Sequence, residues 1–368
     1  MKNSVTKNLF RVYGTLFAAV AFLSVGALSQ NPRENAQGVS GGQFRKVGAA
    51  GGQFLRIGVG ARANGMAGAF AGVSNDLSAL FYNSAGIVDI KGYAANISHT
   101  QWFGGYSHNF LAGVFPVGEK YKAGLSITSL SSGAIPLTTL EDENRLGNSY
   151  EISDMAISGS FAAFLTEQFS FGVTMKYVQN SIASLSASGL FVDIGTLYRF
   201  GGYRAGFSIS NLGSQMQFSG NNLFVKTDLI SQLQYQKLDA TLLSSPFNVP
   251  LSFKAGIACD VLSEWFGMYE SLPDLGMYTT RDHRLVVAAD FETLSDVPEQ
   301  AAIGAEYTWN DLLCLRAGYR YNQDQFGLSG GIGIRYVASG FDGMVDFAVQ
   351  PTTDLGVVNR LSLALRFQ

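Results

Sequence analysis

Apolar and polar residues alternate in run after run along this chain, down to its last residues. In the closing segment, Leu361, Leu363, Leu365 and Phe367 fall on one face of an extended strand, and Ser362, Ala364 and Arg366 on the other. Between 299 and 309, Ala301, Ile303, Ala305, Tyr307 and Trp309 oppose Ala302, Gly304, Glu306 and Thr308. Between 203 and 211, Tyr203, Ala205, Phe207 and Ile209 oppose Arg204, Gly206, Ser208 and Ser210. Between 326 and 337, Phe326, Leu328, Ile332, Ile334 and Tyr336 oppose Gly327, Ser329, Gly331, Gly333 and Arg335. The pattern predicts fourteen strands: 92–102, 106–116, 120–130, 152–165, 168–179, 188–200, 203–211, 250–262, 282–292, 299–309, 312–321, 326–337, 341–350 and 360–368. Most have the roughly 9–11 residues that a tilted strand needs to cross a bilayer.

The connections fit an up-and-down barrel, in which one rim carries short turns and the other longer loops. Tight, turn-prone links fall near Gly118, at Thr166-Glu167, at Gly201-Gly202, at Asn310-Asp311 and at Ala338-Ser339-Gly340, all after even-numbered strands. The two longest links, 131–151 and 212–249, follow odd-numbered strands. The link 263–281 breaks the rule, being long where a short turn is expected. Pro116, Pro250, Pro298 and Pro351 fall at strand ends, where no ladder donor is lost.

By parity, Lys176, Asp193, Arg199, Arg204, Lys254, Asp260, Asp290, Glu306, Arg316, Arg320, Arg335 and Asp346 point to the face opposite the apolar one. An Arg or Lys on a lipid face at mid-membrane costs roughly 2–4 kcal/mol, so these charges belong in a lumen. There they form either a selectivity ring or, the plainer reading, a salt-bridge lattice filling a narrow barrel.

Composition sharpens this picture. Charged residues make up 14% of the chain and aromatics 12%, whereas a soluble domain carries about 25% charged residues. Too few charges to coat a wetted surface, with no spanning helix after residue 29, fit an all-β transmembrane antiparallel barrel of about 14 strands with an apolar outer wall. Residues 1–29 read as a signal peptide: Lys2, Lys7 and Arg11 lead an apolar stretch that ends at Ala27-Leu28-Ser29. Cleavage there lowers the basic count from 25 to 22 against 28 acids, a net charge of −6, which argues against a nucleic-acid partner. The expected location is the outer membrane of a Gram-negative bacterium, with outer-membrane lipid as the first partner.

Enzyme chemistry is not indicated. Parity puts Cys259 on the outer face and Cys314 on the inner one, on non-adjacent strands, which disfavours a disulfide. His99 and His108 could face each other across the first hairpin, but without metal-ligand spacing; His283 reads as solvated. Gly58-Val59-Gly60-Ala61-Arg62-Ala63 lacks the third glycine of a dinucleotide loop and the lysine of a P-loop. No catalytic, metal or cofactor site is predicted. The acidic run Glu141-Asp142-Glu143 reads as a solvated loop tip.

Residues 30–53 are polar and read as a flexible arm; 91–368 hold the barrel strands. Between them, 54–90 is rich in small residues and lacks strand alternation, as a plug folded inside a confined lumen would require. The stretch Ala61-Arg62-Ala63, Gly65-Met66-Ala67-Gly68-Ala69-Phe70, Asn75-Asp76 and Asn83-Ser84-Ala85-Gly86 resembles the N-terminal hatch of FadL-like outer-membrane barrels. Within that superfamily the chain is most similar to the PorV/PorQ group, supported by Val249–Ala258, Ala301–Tyr307, Leu315–Arg320 and Gly327–Gly333. It departs from the family in Asn83-Ser84-Ala85, where Asn-Pro-Ala is usual, in ending on Gln368 rather than an aromatic, and in the 263–281 insertion.

The resemblance implies a fourteen-strand barrel with a hatch whose residues are Arg62, Gly65, Met66, Gly68, Asn75, Asp76, Asn83, Ala85 and Gly86. It implies no enzyme activity. PorV/PorQ-like members act by protein contact in type IX secretion, so a protein partner in a secretion complex is the first expectation. The alternative is a FadL-like channel for uptake of hydrophobic small molecules. Under either reading the loop 212–249 supplies the contact surface for a partner or ligand, through Phe218, Leu223, Phe224, Leu229, Leu233, Tyr235 and Phe247. Ile230, Leu233 and Leu238 could lie on short amphipathic helices there. A charge-filled lumen would favour protein contact, and a continuous apolar cavity behind the hatch would favour transport.

Overall fold

The computed structural model describes residues 50–368 except 119, 137–148, 221–222, 229–236, 266–282, 339 and 368. The segments predicted as signal peptide and most of the arm, and the acidic run at 141–143, lie outside the described residues.

Fourteen antiparallel strands close into a barrel. They are β1 Tyr93–Gln101, β2 Ser107–Pro116, β3 Tyr121–Ser131, β4 Ile152–Phe164, β5 Phe169–Ile182, β6 Leu185–Phe200 and β7 Tyr203–Gly213. The second half comprises β8 Ser252–Asp260, β9 His283–Leu294, β10 Gln300–Trp309, β11 Leu313–Tyr321, β12 Leu328–Ala338, β13 Phe341–Pro351 and β14 Val357–Phe367. Each strand pairs with its sequence neighbours, and β14 returns to β1 with Phe367 opposite Tyr93 and Asn359 opposite Gln101. That seam leaves no unpaired edge, which is what hydrocarbon demands of a sheet.

The periodicity is realised almost residue by residue. On β1 exposed and buried positions alternate from Tyr93 to Gln101. All twelve charges assigned to the lumen by parity are buried or half-buried on the inner face. Outward stand large apolar residues such as Ile97, Leu125, Ile303 and Leu361. Near the rim that carries Tyr93 and Phe367, which we term the terminal rim, aromatics ring the outside: Tyr121 stacks on Phe161 at 5.6 Å and Phe200 on Tyr203 at 5.4 Å. Such girdles mark the interface between hydrocarbon and head groups.

Several details differ from the sequence expectation. The strand expected at 360–368 begins at Val357, and those expected at 168–179 and 188–200 extend to Ile182 and back to Leu185. The tight turn between them puts Ala183 at a φ of 54°, so the ladder continues nearly to its tip. The strand expected at 250–262 stops at Asp260, because the Asp260 carboxylate accepts from the Ser263 backbone and starts a short helix, Val261–Glu264. That helix opens the long 263–281 link at the terminal rim.

His99 and His108 do not face each other. Strand pairing sets His99 opposite Asn109, with its Nδ1 2.7 Å from the Asn109 amide oxygen on the outer face, while His108 opposes Thr100 on the inner face. The register that pairs Gln101 with Ser107 turns His99 outward and His108 inward; a slip of one residue would have set them opposite each other. His283 is half-buried with its Nδ1 2.6 Å from the Tyr307 hydroxyl, not simply solvated.

The pairing of β6 with β7 shifts register between Val192 and Ile194, and Asn211 adopts a φ of 65°. This bulge turns Asn211 inward against strand parity. Its side chain then accepts from Lys176 Nζ at 2.9 Å and donates to the Pro250 carbonyl at 2.8 Å, while its backbone N–H donates to Asp193 at 2.7 Å.

The alternation yields a direct expectation. Leu363→Arg, on the outer face at mid-strand of β14, should lower folding stability in bilayer vesicles by about 2–4 kcal/mol. Urea titration of the vesicle-inserted protein checks this; an unchanged midpoint would mean that Leu363 does not contact lipid.

Candidate functional site

The lumen is occupied by residues 50–90. They form a 3-10 turn at Gln53–Arg56, a helix α1 at Ala61–Gly65, a helix α2 at Ala79–Tyr82 and a further 3-10 turn at Ser84–Asp89. None of these is long enough to be stable alone. The barrel wall supplies what they lack.

The segment spans the barrel. At the loop rim, opposite the terminal one, Gly51 N–H donates to the Asn248 carbonyl at 2.9 Å and Gln53 Nε2 donates to Asp296 at 2.8 Å. At the terminal rim, Asp89 pairs with Arg199 at 2.8 Å and also with Arg204, just before β1 begins.

Arg62 is the hub between these ends. Its guanidinium makes a bidentate pair with Glu306, at 2.7 and 2.8 Å, and its remaining nitrogen donates to Asn75 at 2.6 Å and Asp76 at 3.0 Å. The same cation lies 5.4 Å from the centre of the Phe70 ring. Glu306 in turn accepts from Arg316 Nε at 2.6 Å, and Arg316 reaches Asp346 at 2.6 Å. The buried Tyr82 hydroxyl donates to the Val59 carbonyl at 3.3 Å.

The other expected hatch residues are all buried. Asn83 donates to the Ala71 and Thr196 carbonyls, both at 3.0 Å, and caps the following turn by accepting from Ala85 N–H. The Ala85 carbonyl accepts from Ser170 Oγ at 2.9 Å. Asp76 Oδ1 accepts from Ser78 N–H at 2.7 Å. Met66 is wholly buried, and Gly68 takes a φ of 77° beside Arg320. A Cβ on Gly65 would crowd Arg316 and Gly331, and one on Gly86 would strike the Ser74 carbonyl.

Two features of this fit were missed from the sequence. Asp290 accepts the adjacent Phe70 and Ala71 amides, both at 2.8 Å, and so pins the middle of the segment to β9. The wall also carries glycines where the segment touches it. A Cβ on Gly206 would meet the Ala71 carbonyl, and one on Gly304 or Gly318 would meet Met66. The usable signal was glycine at lumen-facing parity within otherwise regular strands.

Above this polar middle lies an apolar cluster at the loop rim. Phe54, Leu55 and Ile57 from the inner segment pack with Phe191, Met216 and Val249 from the wall and loop. Phe218 and Phe247 cap the cluster with ring centres 5.3 Å apart, so these two loop residues are half-buried over the plug. Leu223 sits in a turn, its N–H donating to the Gly220 carbonyl at 3.2 Å. Phe224 begins a small hairpin of 224–228 with 237–241; it places Leu238 in a strand rather than a helix. Leu229, Ile230, Leu233 and Tyr235 lie outside the described residues.

Among the described residues no group of three or more His, Cys, Asp or Glu could hold a metal ion. A cavity of about 30 Å³ lies below the apolar cluster, lined by Leu55, Phe81, Tyr82, Lys176 and Lys254 among others. That volume holds only a water or two. Among the described residues the lumen is packed with charge-paired side chains, with an apolar surface at its loop side.

No protein-family profile matches the sequence, and no curated protein does. Solved structures do match. The toluene transporter TbuX of Ralstonia pickettii aligns at a TM-score of 0.51 and 13% identity, over 84% of this chain and 99% of that one. The CymD monoaromatic hydrocarbon channel aligns at 0.51 and 14%, over 84% and 96%. The toluene transporter TodX of P. putida aligns at 0.52 and 13%, over 84% and 96%. At such identity the correspondence is one of fold, and this chain shares the closed-barrel fold of those transporters.

The hub makes a sharp prediction. Arg62→Met leaves Asp76 and one side of Glu306 buried without their cation and should cost about 3–5 kcal/mol in denaturant unfolding. Arg56→Gln, which removes a partly exposed pair with Asp296 at 3.6 Å, should cost less than about 1 kcal/mol. Equal effects would mean that the inner network contributes no more than a rim contact.

Proposed function

We propose that this protein is an outer-membrane channel for small hydrophobic molecules, of FadL-like type, in which residues 50–90 serve as the hatch. The observation that carries the reading is the fold correspondence: hydrocarbon channels and transporters align with this chain over 96–99% of their own lengths. The aromatic and aliphatic cluster at the loop rim supports it, because it offers an apolar first contact facing the outside. The cavities described, of about 10 to 30 Å³, are too small for a toluene-sized molecule, so passage by way of them requires the hatch to rearrange.

One observation favours a second reading, protein contact of the PorV/PorQ type within type IX secretion. The lumen is filled by salt-bridged side chains, and no described cavity runs continuously through it. A barrel closed in this way is suited to serve as a rigid platform, with the 212–249 loop, including the exposed Leu242 and Leu243, as the docking surface.

Two measurements separate the readings. Toluene entry into cells whose outer membrane carries this protein should exceed that of cells lacking it by about tenfold, and Arg62→Met should change the rate. No difference in entry, combined with co-purification of a secretion complex from detergent extracts, would replace the channel reading by the second.

A further inference from the structure

The apolar outer band is not equally tall around the barrel. On β13 the outward positions stay free of polar side chains from Phe341 to Pro351, through Val345, Phe347 and Val349. At about 3.3 Å per residue and a tilt near 40°, that stretch climbs roughly 25 Å, the usual height of such a band. On β1 the outward apolar set ends with Tyr93, Ala95 and Ile97, and His99 and Gln101 follow on the same exposed face. His99 therefore stands only about 15 Å above Tyr93, inside the band and not above it.

The neighbouring strands repeat the change at matching positions. Leu363, Ile97, Leu111 and Ile127 form one apolar row across β14, β1, β2 and β3. Directly above it, His99 pairs with Asn109 and Asn109 with Ser129; one step higher, Gln101 lies between Asn359 and Ser107. His99 Nδ1 is 2.7 Å from Asn109 Oδ1. That contact uses part of each side chain's hydrogen-bonding capacity, and the rest faces the membrane with the two other amides and the two hydroxyls. Polar groups set against hydrocarbon are costly unless something hydrogen-bonds to them.

The chemistry of this notch selects its occupant. No Arg or Lys stands on the outward face of β14, β1, β2 or β3, so a phosphate would find no cation. A carboxylate, Glu151, accepts from Ser131 Oγ at 2.6 Å beside Ser107 and would repel an anion. Four strands about 4.8 Å apart, over a height of about 10 Å, offer roughly 200 Å², far below the ~800 Å² per partner of a stable protein interface. Neutral amides, hydroxyls and an imidazole match the hydroxyls of a sugar. With the short turns of the terminal rim on the periplasmic side, the notch lies in the outer leaflet. We propose that it seats the sugar of an outer-leaflet glycolipid, whose head group settles lower here than around the rest of the barrel. The site is on the outer wall and is independent of what passes through the lumen.

Native mass spectrometry of the full-length protein in detergent tests this, with monoglucosyl diacylglycerol and phosphatidylethanolamine of the same acyl chains as probes. The wild type should retain the glucolipid about tenfold more than phosphatidylethanolamine. His99→Leu combined with Asn109→Leu makes the wall more apolar and should abolish that preference, a loss of about tenfold for two hydrogen bonds. Leu125→Ala, outward on β3 below the notch, should leave it within about twofold. Should the double variant fail to fold, Asn109→Leu alone should lower the preference about threefold. No preference in the wild type, or one unchanged in the variants, overturns the proposal. Equal retention of both lipids, lost together in the double variant, reduces the notch to a general head-group contact and overturns the sugar assignment. A wild-type dimer that the double variant breaks gives the notch to a second copy of the chain and overturns it as well. Toluene entry has no part in this readout, so failure of the channel reading leaves the glycolipid site standing.

Discussion

Everything in this molecule depends on the impossibility of leaving a peptide group unpaired in hydrocarbon. No water is present there to hydrogen-bond an exposed edge, so the sheet must return on itself. The β14–β1 seam does this over nine residue pairs, from Tyr93 with Phe367 to Gln101 with Asn359. Once the wall is closed, each residue has only two directions to point. The outer one accepts apolar side chains, and nearly every charge is driven inward. The chain's low charge content and the crowding of its lumen follow from the same constraint.

A lumen filled in this way needs its charges to be compensated, and the inner segment is the means. Arg62 brings a cation to Glu306, Asp89 brings an anion to Arg199 and Arg204, and the backbone amides of Phe70 and Ala71 serve Asp290. Segment and wall are therefore one electrostatic unit. Removing the segment would strand buried charge on the wall, and removing the wall would leave a few short helical turns with nothing to hold them. The glycines at 206, 304 and 318 complete the fit by letting two backbones approach where a side chain would intervene. Arg360 stands outside this compensation, with Gln350 as its acceptor and the Trp102 ring beside it.

Much of this was legible in the sequence because a two-residue period is a local signal. The strand at 299–309, for example, showed its inner and outer faces without any knowledge of its neighbours, and the observed Gln300–Trp309 keeps them. What a period cannot show is where it breaks. The bulge at Val192/Ile194 turns Asn211 inward, and only the mismatch with the neighbouring strand reveals it. Pairings across the lumen were likewise hidden. Arg62 and Glu306 are separated by 244 positions, and nothing local in either residue names the other. The strand ends were misjudged where a tight turn or a cap, at Ala183 or Asp260, decided them instead of hydropathy. His99 and His108 fall one residue out of register, a distinction that the turn between the strands decides and hydropathy does not show.

The inner segment is anchored at both rims, to Asn248 above and to Arg199 and Arg204 below, and it continues directly into β1. Its only covalent junction with the wall among the described residues is at β1, and the anchors at the two rims are hydrogen bonds and ion pairs. Loosening the rim contact at Asn248 would therefore free one end of the segment while β1 still holds the other.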